Sequence, residues 1–270
     1  MKIRRITLGI LLLLTLLSIA DLRYFGGDES SYRRRSIHFQ VDPNPMKDMV
    51  EKKQDFLRPQ GQLTSLVIKG KHGSVDLRSV ESDQIKVNTI VMAADERALE
   101  RLEVVESVSD SEISYDLSGD VAGGLRDVGV SYTVDVPAGM DVVVVQQYGT
   151  VKVEDFVGFL DIEARFATVE VRGLQGSATV RNYFGTVNLR EMAGPLMLED
   201  SYSMSRVNLL PIAGGYDFAI DVTNGTLGGN APFKTERLQN TTTAKGQTGE
   251  GLHPIVVKSN FGTVIVDLDN

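Results

Sequence analysis

The sequence predicts an all-β chain: short strands stacked in repeated units, of the parallel β-helix or solenoid kind, with one short helix in the N-terminal half. Three observations carry that expectation. An aromatic residue returns every 18 positions, at Tyr148, Phe166, Phe184 and Tyr202. Gly158, Gly176 and Gly194 return at the same interval, half a unit away. Between these marks apolar and polar residues alternate, which is the period of a strand. A unit of 18 residues has no room for a strand, a crossover helix and a second strand.

The chain begins with MKIRRITLGILLLLTLLSIA. Cations, an unbroken apolar run from Ile6 to Ala20 and small residues at Ser18 and Ala20 form an export signal. As a helix the 15-residue run spans roughly 22 Å, short of a hydrocarbon core of about 30 Å. Residues 1–20 are therefore expected to act as an export signal cleaved near Ala20, or as a signal anchor in which residues 6–20 stay in the membrane. Residues 21–60 read as a stalk or linker. Arg23 and Arg33-Arg34-Arg35 make it basic, Asp42-Pro43-Asn44-Pro45 breaks regular structure, and Met46 to Phe56 has the spacing of a short helix.

The third expected segment, residues 61–270, is the β-repeat domain, regular from Val142. Leu66 to Leu77 is strand, glycine turn, strand, and Ile85 to Met92 is a strand. Asp95 to Leu102 has helical spacing, Leu102 to Leu117 alternates again, and Gly119 to Gly129 is a loop. Val130 to Val136 leads through Pro137-Ala138-Gly139 into the regular units. There, Val144, Ile162, Val180 and Leu198 are expected inward on the first strands, with Val151, Val169 and Val187, then Val153, Val171 and Leu189, on the second. Outward rows set Lys152 over Glu170, Glu154 over Arg172, and Glu163, Arg181 and Glu199 in line; opposite charges at successive steps favour this register. Strict alternation also turns the row Tyr148, Phe166, Phe184, Tyr202 inward. The fourth unit runs two residues longer, and the addition is expected after Tyr202, at Ser203-Met204-Ser205-Arg206. After Leu227 a polar stretch reads as a hairpin or long loop. His253 to Asn270 resumes the pattern, with Phe261-Gly262-Thr263-Val264 repeating Phe184-Gly185-Thr186-Val187, and its last strand is expected to leave an open edge.

Composition narrows the function classes. Net charge is −8 and no basic stripe runs through the repeats, which argues against nucleic acid as a partner. The absence of cysteine removes disulfides, thiol catalysis, Cys-ligated zinc and a lipid-modified cysteine. His38, His72 and His253 lack metal-ligand spacing, and His72 reads as a solvated turn residue. Glu154, Glu163 and Glu199 are outward carboxylates with cationic neighbours, a structural pattern more than that of an acid with a raised pKa. Asn224-Gly225-Thr226 and Asn240-Thr241-Thr242 match a glycosylation pattern that is frequent by chance. No catalytic, cofactor-binding or metal-ligating residue is assigned, and no cofactor is expected.

The lead-in YTVDVPAGMDVVVVQQYGTVKVEDFVG, the recurring FGTV-type turns and the closing GEGLHPIVVKSNFGTVIVDL resemble the bacterial putative-adhesin, or toast-rack, β-strand-repeat family, a domain of unknown function. The likeness covers about residues 61 to 270 and consists of degenerate strand and turn motifs. It implies a single-handed stack of short strands in an exported or membrane-anchored envelope protein, sometimes alongside stress-response systems, and it implies no catalytic residues. The tidy repeat is also similar to the β-helical bactofilin filament formers. The expectation is a non-enzymatic envelope scaffold presenting a surface to a protein or glycan, touching the membrane only through its N-terminal segment. The alternatives are a self-assembling filament joined through the C-terminal strand near Val264 to Leu268, and a carbohydrate-active enzyme.

Overall fold

The computed structural model describes residues 49–119 and 128–269; the leader, the stalk as far as residue 48 and most of the loop after Gly119 lie outside them. Among the described residues there are fifteen strands in one sheet and a single short helix, an all-β stacked-strand repeat. No helix among them is long and apolar enough to cross a membrane.

The stack is made of two-limbed rungs joined in parallel. β2 (Ser65–Val80) pairs with β7 (Asp141–Glu154), which pairs with the long β8 (Val157–Ala193), which pairs with β9 (Leu196–Leu209). Register is the expected one: Val144 lies opposite Ile162, Val151 opposite Val169, Val153 opposite Val171, and Val180 opposite Leu198. Val144, Ile162, Val180, Leu198, Val151, Val169 and Val187 are all fully buried. Burying each such side chain contributes about 1.5–3 kcal/mol, so these inward rows dominate the stability of the stack.

The outward rows keep the register but not the expected ion pairs. Lys152 bonds Glu154 on its own strand at 2.9 Å, Arg172 turns to Glu191 at 3.0 Å, Arg181 reaches Asp161 at 2.8 Å, and Glu199 meets Lys258 at 3.6 Å. Side chains of this length on an exposed face choose among several partners of similar energy.

Two features depart from the sequence reading of the fourth unit and the C terminus. Gly185 lies opposite Ser203, Val187 opposite Ser205 and Leu189 opposite Val207, so nothing is inserted after Tyr202; the offset of 18 holds through that corner. The additional residues fall after Leu209, ahead of Gly214. Ser205 simply occupies a valine position in the core, fully buried, and its hydroxyl donates to Asp200 Oδ2. The last rung is also not last in space. β14 (His253–Asn260) is inserted between β9 and β10 (Tyr216–Thr223), parallel to both. β15 (Thr263–Leu268) likewise pairs with β9 on one side and with β11 (Thr226–Gly228) on the other. The edge expected to be bare is therefore occupied along Thr263–Ile265.

Antiparallel elements close both ends. β12 (Phe233–Leu238) and β13 (Thr241–Gln247) form the expected hairpin and lie against β10. At the other end β3 (Gln84–Ala93) and β6 (Val128–Pro137) pair antiparallel, and β4 (Glu103–Val108) pairs with β5 (Glu112–Ser118). Helix α1 (Glu96–Glu100) starts where the sequence placed it, with Asp95 Oδ1 accepting from Ala98 N at 2.8 Å as an N-cap.

The expected helix over Met46 to Phe56 is corrected: its described part belongs to β1 (Val50–Pro59), which pairs antiparallel with β3 along ten residues. Alternate residues Val50, Lys52, Gln54 and Phe56 are half-buried. Phe56 packs on Tyr115 with ring centroids 5.0 Å apart, and Gln54 Oε1 accepts from Val104 N at 2.9 Å. A complete ladder and an apolar contact override the local helical spacing. The end of the expected stalk thus lies in the sheet.

Candidate functional site: an outer groove beside an aromatic ladder

Each rung bends between its limbs at the 18-residue aromatic mark. Phe166, Phe184, Tyr202 and Phe261 sit there in the left-handed region, with φ of 49°, 61°, 54° and 56°. The bend adds one residue to the alternation: Leu160, Ile162 and Ala164 point inward, then Ala167, Val169 and Val171 do so, three positions on instead of two. The aromatic is thereby carried outside. Tyr148, Phe166 and Tyr202 are exposed and Phe184 is half-buried, which corrects the inward placement expected from strict alternation. The glycine after Phe184 is required by this corner: Gly185 has φ 152°, and a Cβ there would lie 2.0 Å from the Ala167 carbonyl oxygen on the rung below.

Out on the corner the rings stack into a ladder six members long. His72 lies on Tyr148 (4.6 Å between centroids), Tyr148 on Phe166 (5.3 Å), Phe166 on Phe184 (5.1 Å), Phe184 on Tyr202 (4.7 Å) and Tyr202 on Phe261 (5.0 Å), with planes within 14° of parallel throughout. This spacing follows the strand separation of about 4.8 Å. His72, read from sequence as a solvated turn residue, is the first ring of the ladder, and its partial burial holds its pKa below the ordinary imidazole value.

Beside the ladder an open groove of about 960 Å³ runs over the first limbs of β8, β9, β14 and β10. Tyr183 stands in it with its ring turned 84° from Phe184 and 83° from Tyr202, and is 47% exposed. Around Tyr183 the cations are paired, Arg165 with Glu163 at 3.2 Å, Arg181 with Asp161, and Lys258 with Glu199, and Asp221 adds a carboxylate to the lining. Ser201, Thr223 and Asn260 add uncharged polar groups to the lining. Because β14 is inserted between β9 and β10, the groove unites chain segments that are far apart in sequence.

Under the groove the inward position at the bend is polar on three consecutive rungs. Asn182 lies opposite Asp200, and Asp200 opposite Ser259, each at most 5% exposed. Asn182 Nδ2 donates to Ser203 Oγ at 2.9 Å. Burial raises the pKa of the Asp200 carboxyl above the ordinary aspartate value, opposed by the Ser205 hydroxyl donating to it. Alternation from Leu198 already places Asp200 inward, so its signal was present in the sequence as a carboxylate two positions beyond a core leucine.

The remaining sequence candidates do not converge. Glu154 lies away from the groove and is held below the usual carboxylate range by Lys152. Glu163 and Glu199 line the groove, each with its cation. His253 Nε2 sits 3.0 Å from the Ala213 carbonyl oxygen, and His38 lies outside the described residues. The two glycosylation-pattern asparagines bond each other, Asn240 Nδ2 donating to Asn224 Oδ1 at 2.6 Å.

No family model matches the chain, and no curated protein matches it. Among solved structures it is similar to a putative cell adhesion protein from Clostridium sporogenes, at 13% identity over 82% of this chain and 100% of that one, with a TM-score of 0.44. It is similar to a putative adhesin from Bacteroides fragilis, at 13% identity over 81% and 97%, TM-score 0.28. A putative lipid binding protein from Parabacteroides distasonis matches at 6% identity over 82% and 97%, TM-score 0.27.

Proposed function

We propose that this is an exported, non-enzymatic envelope protein, an adhesin-like scaffold that holds a protein or glycan against the groove face of its strand stack. The N-terminal segment either anchors it through residues 6–20 or is removed near Ala20. The observation that carries the reading is the groove itself: an open concavity on a continuous sheet, in which Glu163 and Glu199 are engaged with cations while Asp221 adds a third exposed-face carboxylate. Asp200, whose pKa burial raises, is nearly enclosed beneath the groove and held by the Ser205 hydroxyl, and the ion-paired rows on the rigid face above it suit recognition without chemistry.

The test is co-sedimentation of the purified chain with isolated bacterial cell envelopes. The native chain is expected to pellet with them, and reversing two groove charges together (Arg181→Glu with Lys258→Glu) is expected to release it. Equal pelleting of both proteins, or pelleting of neither, contradicts a groove that binds envelope material.

A further inference from the structure

We infer that the ligand class of the groove is an extended, uncharged polysaccharide lying along the stacking direction, with Tyr183 as its stacking platform; this rests on the groove being the binding face. The ladder aromatics are poor platforms. Inside a stack both faces of a ring are covered by its neighbours, so Tyr148, Phe166, Phe184 and Tyr202 offer solvent mainly their edges. Tyr183 differs in orientation: it lines the groove with its ring turned 84° out of the stack and no parallel neighbour among the described residues, whereas Phe166, equally exposed at the groove's margin, is stacked on both sides. An amphipathic ring of that kind meets the C–H face of a sugar while its hydroxyl stays available for hydrogen bonding.

The polar lining favours the same class. A protein partner ordinarily needs a core depleted of charge and rich in apolar anchors, whereas this groove carries three ion pairs around one tyrosine. A polyanion needs surplus positive potential. Here Arg165, Arg181 and Lys258 are each matched by a carboxylate, on a chain of net charge −8. Paired guanidinium and carboxylate groups, with Ser201, Thr223 and Asn260, instead present fixed donors and acceptors to hydroxyls. They recur from rung to rung at about 4.8 Å, a pitch close to the rise of an extended β-linked hexose chain.

Native electrophoresis of the full-length chain through gels containing glucomannan, hydroxyethylcellulose, xylan, dextran or polygalacturonate tests the assignment. Retardation by at least one neutral polymer, and not by polygalacturonate, is expected. Tyr183→Ala should weaken that retardation about three- to tenfold, the loss of one aromatic contact, while Tyr183→Phe retains most of it and Leu238→Ala, outside the groove, retains all of it. Thermal melts of the variants verify folding. Retardation by the polyanion alone, by none of the polymers, or equally for native and Tyr183→Ala chains overturns the assignment. Groove-dependent pelleting with envelopes alongside any of those results removes the polysaccharide and leaves the broader binding reading standing.

Discussion

Truncating Val187 to alanine probes the energetic basis of the stack. Val187 is fully buried in the row that contains Val151 and Val169, and its neighbour on the next rung is Ser205. Removing two methyl groups forfeits about 0.8 kcal/mol each in transfer free energy, and the cavity left between fixed strands adds to this, for a total of about 2–3 kcal/mol. Arg181→Ala on the outer face of the same region removes an ion pair whose arginine side chain is 46% exposed, worth about 0.2–1 kcal/mol. Urea unfolding followed by far-ultraviolet circular dichroism compares the two directly, and tyrosine fluorescence is uncomplicated in a chain with no tryptophan. Val187→Asp, which buries an unpaired carboxylate, should abolish the folded baseline. If Val187→Ala cost no more than Arg181→Ala, the inward rows would not be what holds the rungs together.

Other perturbations read other parts of the structure. Gly176→Ala should destabilise strongly, because its φ is 141° and a Cβ would lie 2.0 Å from the Gly158 carbonyl oxygen, whereas Gly139→Ala meets no atom within 4 Å and should show only the smaller strain of its φ of 85°; thermal melts separate the two. Phe166→Ala breaks two ring stacks and Phe261→Ala one, so at about 0.5–1.5 kcal/mol for each stack the former should lose roughly twice as much stacking energy in chemical denaturation. Asp200 has its folded pKa raised by burial, so the folded state binds the proton more tightly than the unfolded one. Its contribution is therefore fully present below the ordinary aspartate pKa and is lost as pH rises through the raised value. Melting temperature measured between pH 4 and pH 7 should show that loss in the native chain, and Asp200→Asn should remove this component; an identical pH dependence in both would show that Asp200 titrates normally.

The register of the repeat was legible because alternation and the 18-residue interval fix which residues lie over one another, and Val144 opposite Ile162 or Val180 opposite Leu198 follows from counting alone. Counting failed where the backbone leaves the strand region. A left-handed residue at Phe166 or Phe184 shifts the phase by one, and the aromatics move from inside to outside. It failed again at Ser205, where a polar residue interrupts a valine row and counting puts the two additional residues of the unit at Ser203-Met204-Ser205-Arg206; the Asp200 carboxylate that accepts from the Ser205 hydroxyl stands five residues away, across the corner. The groove was hidden for a topological reason. Its floor depends on Lys258 lying between Glu199 and Asp221, and the order of rungs in space departs from their order in the chain.

That insertion can be measured in a chain that contains no cysteine of its own. The Glu199→Cys/Lys258→Cys double variant places two thiols on adjacent strands, about 4.8 Å apart, and Glu199→Cys/Asp221→Cys places them two strands apart, about 9.6 Å. With a short thiol-to-thiol crosslinker the first pair should bridge readily under native conditions and the second should not, read by mass spectrometry of the peptides. Rungs stacked in simple chain order would bring 199 beside 221 instead; efficient bridging of that pair, with none between 199 and 258, would dismantle the groove and the binding function built on it.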